Sequence, residues 1–165
     1  MVAFIRAYAD MLPRDVCEAA IAKLDRTAAT VFPTVALRID LLDDWADVTR
    51  AVHAAVQRAV DRYSAECPTF AVHRSVIPTG YAIERRAPST TWRPPTAIVP
   101  RPILAVSLFL DDDGELEFEE QPDRVPRHAG AIAMFPTGFE YVFRENVARP
   151  SYTMTTSLTF MTDHG

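Results

Sequence analysis

The feature that most constrains the fold is a change in the spacing of apolar residues near Pro68. Before this point apolar residues recur at steps of three and four, and after it they alternate with polar ones. The first spacing puts side chains on one face of a helix, and the second puts them on one face of a strand. We therefore expect a mainly helical N-terminal part, residues 1–67, and a β-rich part, residues 68–162, within a single domain that spans residues 1–165.

Two helices are predicted in the first part. One covers about residues 13–26, where Pro13 and nearby acidic residues suit a first helical turn. The other begins with Asp43 or Asp44 as its N-cap and continues to about residue 64. Its apolar face, which we expect to be buried, consists of Trp45, Val48, Val52, Val56, Ala59 and Tyr63.

Short strands are predicted in the second part, separated by turn sequences rich in Gly, Pro and Asp. They cover residues 69–77, 81–86, 103–110, 115–119, 131–135, 140–143 and 152–161. Residues 103–110 are apolar on both faces, which indicates a central strand, whereas 115–119 alternate between acidic and apolar residues. Helices followed by strands predict an α+β fold built around a sandwich or barrel, with the helices packed on one outer face.

Charge and composition exclude several classes of protein. The 17 basic and 22 acidic residues give a net charge of −5, which argues against a non-specific nucleic-acid binder. Cys17 and Cys67 are isolated, so neither a zinc site nor a disulfide is expected. No apolar run approaches the roughly 20 residues of a membrane span, and no signal-peptide pattern is present, so we expect a cytoplasmic protein that does not bind membranes. A dense group of acidic residues in 111–123 is interpreted as a solvated turn and strand face rather than a cation site.

Four segments of the second part occur in an order that resembles a known superfamily. They are Arg85-Arg86-Ala87-Pro88-Ser89, the apolar strand and acidic turn at 103–118, the stretch from Pro126 to Pro136, and Arg149-Pro150-Ser151. Together they resemble the iron(II)- and 2-oxoglutarate-dependent oxygenases, most of all the short prolyl 4-hydroxylase-like members. The resemblance covers about residues 70–161. It implies a double-stranded β-helix core, the jelly-roll or cupin-like barrel.

In this superfamily the metal ligands are two His and one carboxylate. The chain departs from the pattern at these positions. Where the His-x-Asp pair is expected, the sequence reads Trp92-Arg93-Pro94. At the second His position stands Glu140 or Tyr141, and the sequence does not decide between them. The histidines lie outside the ligand positions of the pattern; they are His53, His73, His128 and His164. The resemblance therefore implies an oxygenase-like barrel with a degenerate metal site, and we assign no metal ligand.

The resemblance also implies a site for a carboxylate. Arg149 and Ser151 match the positions that hold the distal carboxylate of 2-oxoglutarate in the superfamily, a task suited to a guanidinium and a hydroxyl. The alternative is that Arg149 is an ordinary arginine at the end of a strand. Trp92 is expected to form an aromatic wall where the metal pair would stand.

Candidate acid–base residues follow from the same placement. Glu140 or Glu84 is the candidate general base, and Tyr141 or Tyr81 the candidate acid or hydrogen-bond donor to a substrate. The alternative for both tyrosines is core packing with a satisfied hydroxyl group.

Three functions remain open from the sequence. The preferred one is metal-independent cyclisation, isomerisation or elimination of a small molecule that can carry a carboxylate, in secondary metabolism and without a cofactor. The second is a conventional hydroxylase that uses iron(II) and 2-oxoglutarate, with His73 or His128 joining Glu140 as ligands. The third is a non-catalytic ligand- or partner-binding protein, in which Trp92 would fill the pocket. A homodimer is left open.

Overall fold

The computed structural model describes residues 4–27, 34–70, 76–89, 91–94 and 103–161. The helices are α1 (Arg14–Thr27) and α2 (Ala46–Glu66). The strands are β1 (Arg6–Tyr8), β2 (Val35–Arg38), β3 (Val76–Pro78), β4 (Ala82–Arg86), β5 (Leu104–Phe109), β6 (Glu115–Phe118), β7 (Arg124–Pro126), β8 (Ile132–Pro136), β9 (Phe143–Asn146) and β10 (Ser151–Phe160). Short 3-10 turns occupy Ile39–Leu41, Asp43–Trp45, Pro68–Phe70 and Phe139–Tyr141.

The strands form two antiparallel sheets. The major sheet has the order β1-β8-β5-β10-β4-β2, with β3 also paired to β10, and the minor sheet has the order β7-β6-β9. Strand β10 organises the major sheet, because it pairs with β5 along one edge and with β4 and then β3 along the other. This arrangement confirms the predicted α+β fold with a jelly-roll core.

Hydrophobic clusters fill the space on both faces of the major sheet. The helices cover one face, and that cluster includes Leu24, Trp45, Val56, Tyr63, Ile83, Leu108, Met154 and Leu158. The second cluster lies between the two sheets and includes Phe109, Leu116, Phe118, Phe135 and Tyr141. Strand β5 contributes alternate residues to each cluster, which confirms that residues 103–110 contain a central strand buried on both faces.

Several predicted boundaries are wrong. Residues 139–141 form a 3-10 turn, closed by a hydrogen bond from the N–H of Tyr141 to the carbonyl of Gly138, and β9 begins only at Phe143. In the predicted strand 69–77, only residues 76–77 are extended; residues 68–70 form a turn, and 71–75 lie outside the described residues. Asp43 and Asp44 do not cap α2, because they lie in a 3-10 turn before its first residue.

The interpretation of the acidic segment as solvated is wrong for Glu117 of strand β6. Glu117 is 5% exposed and accepts hydrogen bonds from Arg124 on β7 and Arg144 on β9. Asp112 pairs with Arg14 at the start of α1, 2.8 Å away. Arginines from neighbouring elements reach these carboxylates, which the local sequence alone does not indicate. Hydrogen bonding to Arg144 is the main cause that lowers the pKa of Glu117.

Two further predictions, on disulfide bonds and on membrane-spanning helices, can be compared with the structure. Cys17 and Cys67 are both buried and free, as expected for isolated cysteines outside a disulfide. Among the described residues, neither helix combines the length and the apolar character that crossing a membrane would need.

Candidate functional site

A cavity of about 530 Å³ opens between the major sheet and strand β9 of the minor sheet. Its size is within the range of pockets that bind small molecules. The major sheet supplies most of its wall from β2, β4, β5 and β10, while Phe143 and Glu145 come from β9 and Arg93 from the segment 91–94. The cavity therefore lies where the two sheets of the jelly roll separate.

Hydroxyl groups line one wall because of the alternation along β10. Thr155 and Ser157 face the cavity, whereas Met154 and Leu158 belong to the core beneath the helices. In the antiparallel register Thr155 lies opposite Ser107 of β5, which adds another hydroxyl to the same wall. This wall can donate and accept hydrogen bonds with a polar ligand.

Strand β4 brings a carboxylate and a guanidinium to the cavity side by side. Glu84 and Arg86 are two positions apart and so share a face, and the Nε of Arg86 lies 2.9 Å from Oε2 of Glu84. Arg85, between them, points to the helices, where its Nη1 donates to Asp25 of α1 at 2.8 Å. Glu84 keeps only 17% of its side chain exposed, so it is a largely desolvated carboxylate at the edge of an open cavity.

Backbone hydrogen bonds to strand β9 hold Arg93 at the cavity. Its N–H and C=O both bond to Phe143, at 2.7 and 2.8 Å, and its guanidinium lies over the Phe143 ring, 4.9 Å from the centroid. Nη2 is 3.6 Å from Oε1 of Glu145. Burial lowers the pKa of Arg93, and the positive charge of Arg86 adds to this effect. No hydrogen bond joins this guanidinium to another described residue, so its N–H groups can bind a ligand.

Of the residues predicted to be catalytic, Glu84 alone lines this cavity. Glu140 is exposed in the turn before β9. Tyr141 is 9% exposed and belongs to the core between the sheets, with its ring edge against Phe118 at a centroid distance of 6.5 Å.

The predicted carboxylate-binding pair is divided between the surface and the interior. Arg149 has 71% of its side chain exposed, and its Nε lies 3.8 Å from a carboxylate oxygen of Asp113. Ser151 is 1% exposed and donates its hydroxyl to Oε2 of Glu145 at 2.9 Å. The structure therefore does not bring Arg149 and Ser151 together around one ligand, and Ser151 already binds a carboxylate of the protein itself.

Trp92 and Tyr81 lie outside the cavity. The guanidinium of Arg144 covers the Trp92 ring, 4.4 Å from its centroid, so this tryptophan does not fill the pocket. Tyr81 is 4% exposed, and its hydroxyl forms a 2.7 Å hydrogen bond with Nδ1 of His53. Burial and the neighbouring Asp40 raise the pKa of Tyr81. The Tyr81–His53 pair borders a second cavity of about 620 Å³ beside α2.

The described residues do not fit the iron site that the resemblance would imply. No group of three His, Cys, Asp or Glu side chains among them could hold a metal ion. The two cavity carboxylates, Glu84 and Glu145, each lie beside a guanidinium instead. The sequence allows His128 and Glu140 as ligands of one iron, but they flank opposite ends of β8. His73 and His164 lie outside the described residues.

The sequence did not point to three charged residues of the cavity, Arg86, Arg93 and Glu145, or to the hydroxyls of its wall. Arg86 shares a strand face with Glu84, and the two-residue spacing of these opposite charges was the available signal. Arg93 stood inside the segment that replaces the expected metal ligands, but nothing local indicated that it faces inward. Glu145 could not be found, because the predicted strand ended at residue 143 and its face was therefore unassigned.

The fold is shared with prolyl 4-hydroxylase-like oxygenases of known structure. A viral collagen prolyl hydroxylase from Paramecium bursaria Chlorella virus-1 matches with a TM-score of 0.71 and 7% identity, over 96% of this chain and 90% of its own. A prolyl-4-hydroxylase from Pseudomonas putida matches with a TM-score of 0.61 and 16% identity, over 98% and 95%. HygX from Streptomyces hygroscopicus, solved with nickel and 2-oxoglutarate bound, matches with a TM-score of 0.55 and 10% identity, over 94% and 82%.

No protein-family model and no curated protein matches the sequence. At identities of 7–16% the structural matches show the fold alone. The predicted resemblance to short prolyl 4-hydroxylase-like oxygenases is thus confirmed as a likeness of fold.

Proposed function

We propose that the protein binds a small organic molecule in the cavity between its sheets and acts on it by metal-independent proton transfer. The observation that carries this proposal is the set of charged groups that face the cavity. They are two neighbouring carboxylate–guanidinium pairs, Glu84 with Arg86 and Glu145 with Arg93. Such pairs suit acid–base chemistry and the binding of an anionic group, whereas iron(II) in this fold needs imidazole ligands.

Glu84 is the proposed general base. Its side chain is 17% exposed and held by one hydrogen bond from Arg86, so a second carboxylate oxygen remains to accept a proton. Glu145 also lines the cavity, but its carboxylate already accepts a hydrogen bond from Ser151, so Glu84 is the better candidate of the two. Glu140 and Tyr141, the other catalytic candidates, lie on the surface and in the core.

Arg93 is the proposed partner for negative charge on the substrate. Its guanidinium is desolvated and has no hydrogen bond to a described residue. The negative charge of Glu84 attracts it electrostatically. A guanidinium presents a planar set of N–H donors that matches a carboxylate or an enolate oxygen. The hydroxyls of Ser107, Thr155 and Ser157 would orient the remaining polar groups of the substrate.

The reaction class follows from these roles. Glu84 takes a proton from a carbon beside a carbonyl or carboxylate group, and the electron pair of that C–H bond moves toward the oxygen that faces Arg93. In an isomerisation the proton returns to another atom of the substrate. In an elimination the electron pair expels a leaving group from the neighbouring carbon, and the leaving group takes the proton from Glu84. In a cyclisation the pair attacks a carbonyl carbon of the same substrate, whose π electrons move to its oxygen, and that oxygen takes the proton. No oxidant and no metal enters the balance.

Hydrogen–deuterium exchange tests this proposal without knowledge of the natural substrate. The protein is incubated in D₂O, with a chelator and without oxygen, with a panel of small 2-oxo acids, and the loss of C–H signal is followed by proton NMR. We expect exchange for at least one compound, and a fall of about 10²-fold or more for Glu84→Gln. Glu120→Gln, at an exposed site away from the cavity, is the matched control and should keep the full rate.

Contrary results point to the other functions. Binding of panel members without exchange would indicate a ligand-binding protein and contradict the catalytic proposal. Loss of exchange in Glu140→Gln but not in Glu84→Gln would move the base to the turn before β9, as the sequence also allowed.

A conventional iron(II)- and 2-oxoglutarate-dependent hydroxylase is the second candidate, favoured by the shared fold with HygX, which was solved with nickel and 2-oxoglutarate. Anaerobic reconstitution with iron(II) followed by metal analysis separates the two. Stoichiometric iron, with oxygen uptake that depends on 2-oxoglutarate, would establish this candidate over the proposed one.

A further inference from the structure

Below the cavity, the carboxylate of Glu145 is surrounded by four donor side chains. The hydroxyl of Ser151 donates to Oε2 at 2.9 Å. Oε1 lies 3.4 Å from Nη1 of Arg127, 3.4 Å from the hydroxyl of Thr153 and 3.6 Å from Nη2 of Arg93. Three separate segments therefore direct their donors at one carboxylate that is 9% exposed.

Arg127 is the most deeply buried of these donors. Its guanidinium is 0% exposed and lies over the ring of Phe109, 4.7 Å from the centroid. Nη2 donates to Asp111 at 2.8 Å and to the carbonyl of Tyr152 at 2.9 Å, while Nη1 donates to Thr153 and Glu145. The buried Nε has no partner among the described residues. Positive charge at this place would be costly without a carboxylate beside it.

Glu145 belongs to both this buried group and the cavity wall. It lines the cavity between the sheets and a smaller neighbouring one of about 230 Å³, so its side chain separates open space from Arg127. Without this side chain, the cavity would extend to two guanidiniums and two hydroxyls. That donor set is suited to one carboxylate ligand.

We infer that Glu145 is the chain's own occupant of a carboxylate-binding site formed by Arg127, Arg93, Ser151 and Thr153. Because the carboxylate of Glu145 fills this site, the wild-type cavity is closed to a ligand carboxylate at this end. A substrate anion is restricted to the outward side of Arg93 and to Arg86. This inference concerns the cavity of the proposed function but does not depend on its chemistry, because it is tested by stability and binding alone.

Removal of the internal carboxylate should create a site for a free one. Glu145→Ala is compared with wild type in formate, in acetate and in chloride at equal ionic strength and pH 7. We expect a lower Tm for the variant in chloride, and a rise of about 5 °C in 0.1 M formate, the shift expected for millimolar binding to the folded state. Wild type, in which Glu145 fills the site, should show a much smaller rise in Tm in formate than the variant does.

Glu145→Gln is the matched control. Its side chain still fills the space, so it should be destabilised but show no selective response to formate. Arg93→Ala added to Glu145→Ala should weaken the formate response, because one guanidinium is lost from the site. A structure of Glu145→Ala in formate should place the anion between Arg127 and Ser151.

Equal Tm values of Glu145→Ala in formate and chloride would overturn the inference. If Glu145→Ala does not fold in chloride, refolding in formate is the readout, and Glu145→Ser, which leaves one hydroxyl at the position, is measured in parallel. Failure of both variants to fold in either anion would also contradict the inference, since a free carboxylate would then not replace the side chain.

Discussion

The two faces of the major sheet are built from the same strands but carry different chemistry. The face beneath α1 and α2 is packed with aliphatic and aromatic side chains. Part of the opposite face turns toward the minor sheet, and at the β2-β4-β10 side it carries hydroxyls, the carboxylate of Glu84 and guanidiniums around open space. The alternation of each strand lets one segment of sequence serve both purposes. Stability and function are therefore assigned to alternate residues of the same strands.

Adjacent residues of β10 give the largest expected difference between the faces. Leu158 is 0% exposed in the core beneath the helices, whereas Ser157 lines the cavity. Leu158→Ala should lower the free energy of unfolding by about 3 kcal/mol, through lost burial and a cavity that the core cannot refill. Ser157→Ala should change it by less than about 1 kcal/mol. Urea unfolding measures both, and similar losses for the two variants would contradict the division between the faces.

Strand β4 offers a second, smaller comparison. Arg85 bonds to Asp25 of α1 and is 7% exposed, while Arg86 bonds to Glu84 at the cavity. Arg85→Met should cost about 1–2 kcal/mol, because it removes a charged hydrogen bond between the helix layer and the sheet. Hydrogen exchange should show the loss mainly in the C-terminal half of α1.

Arg86→Met is the control for this pair. Its ion pair is one-third exposed on the guanidinium side, so screening by solvent leaves only a small effect on stability. It should instead alter the binding of small anions in the cavity. Equal destabilisation by the two variants would mean that the cavity pair also supports the fold.

The helices and the central strands could be predicted because their patterns are long. The spacing from Trp45 to Tyr63 covers several helical turns, and residues 103–110 are apolar except for Ser107. Many residues therefore indicate each of these elements. Strands β1, β2 and β7 have only three or four residues, too few for an alternation to stand out. Their place is decided by pairing with partners far away in the sequence.

The site was less predictable than the fold for the same reason. The predicted strand 81–86 contains β4, and Glu84, a candidate residue on that strand, lines the cavity. The position of Glu145 depends on where β9 begins, and the 3-10 turn at 139–141 delays that start to Phe143, the last residue of the predicted strand. The contact between Arg127 and Glu145 joins elements 18 residues apart, and no local pattern encodes it.

The smallest expected effect is a loss of stability in acid. It compares an ion pair beside α1, Arg14–Asp112, with one beside the cavities, Arg38–Asp40. Hydrogen bonds from Arg14 and from the N–H of Ala129 lower the pKa of Asp112 from 3.8 to about 2, and a bond from Arg38 lowers the pKa of Asp40. A carboxylate whose pKa is lower in the folded state stabilises the protein above its unfolded value, and this contribution is lost as the pH falls toward the folded value. Both aspartates should therefore begin to lose their contribution below about pH 4, and for Asp112 the loss should be complete only below about pH 2.

Asp112→Asn removes this pH dependence where α1 meets the turn after β5. Both partners are well exposed, at 60% and 44% of their side chains, so the variant should lower the Tm at pH 7 by about 2 °C or less. Between pH 4 and pH 2 its Tm should fall less steeply than that of wild type. Asp40→Asn makes the same comparison beside the cavities, where Arg38 is half exposed. Parallel Tm curves for wild type and Asp112→Asn over this range would show that the Arg14–Asp112 pair does not contribute to the acid sensitivity of the fold.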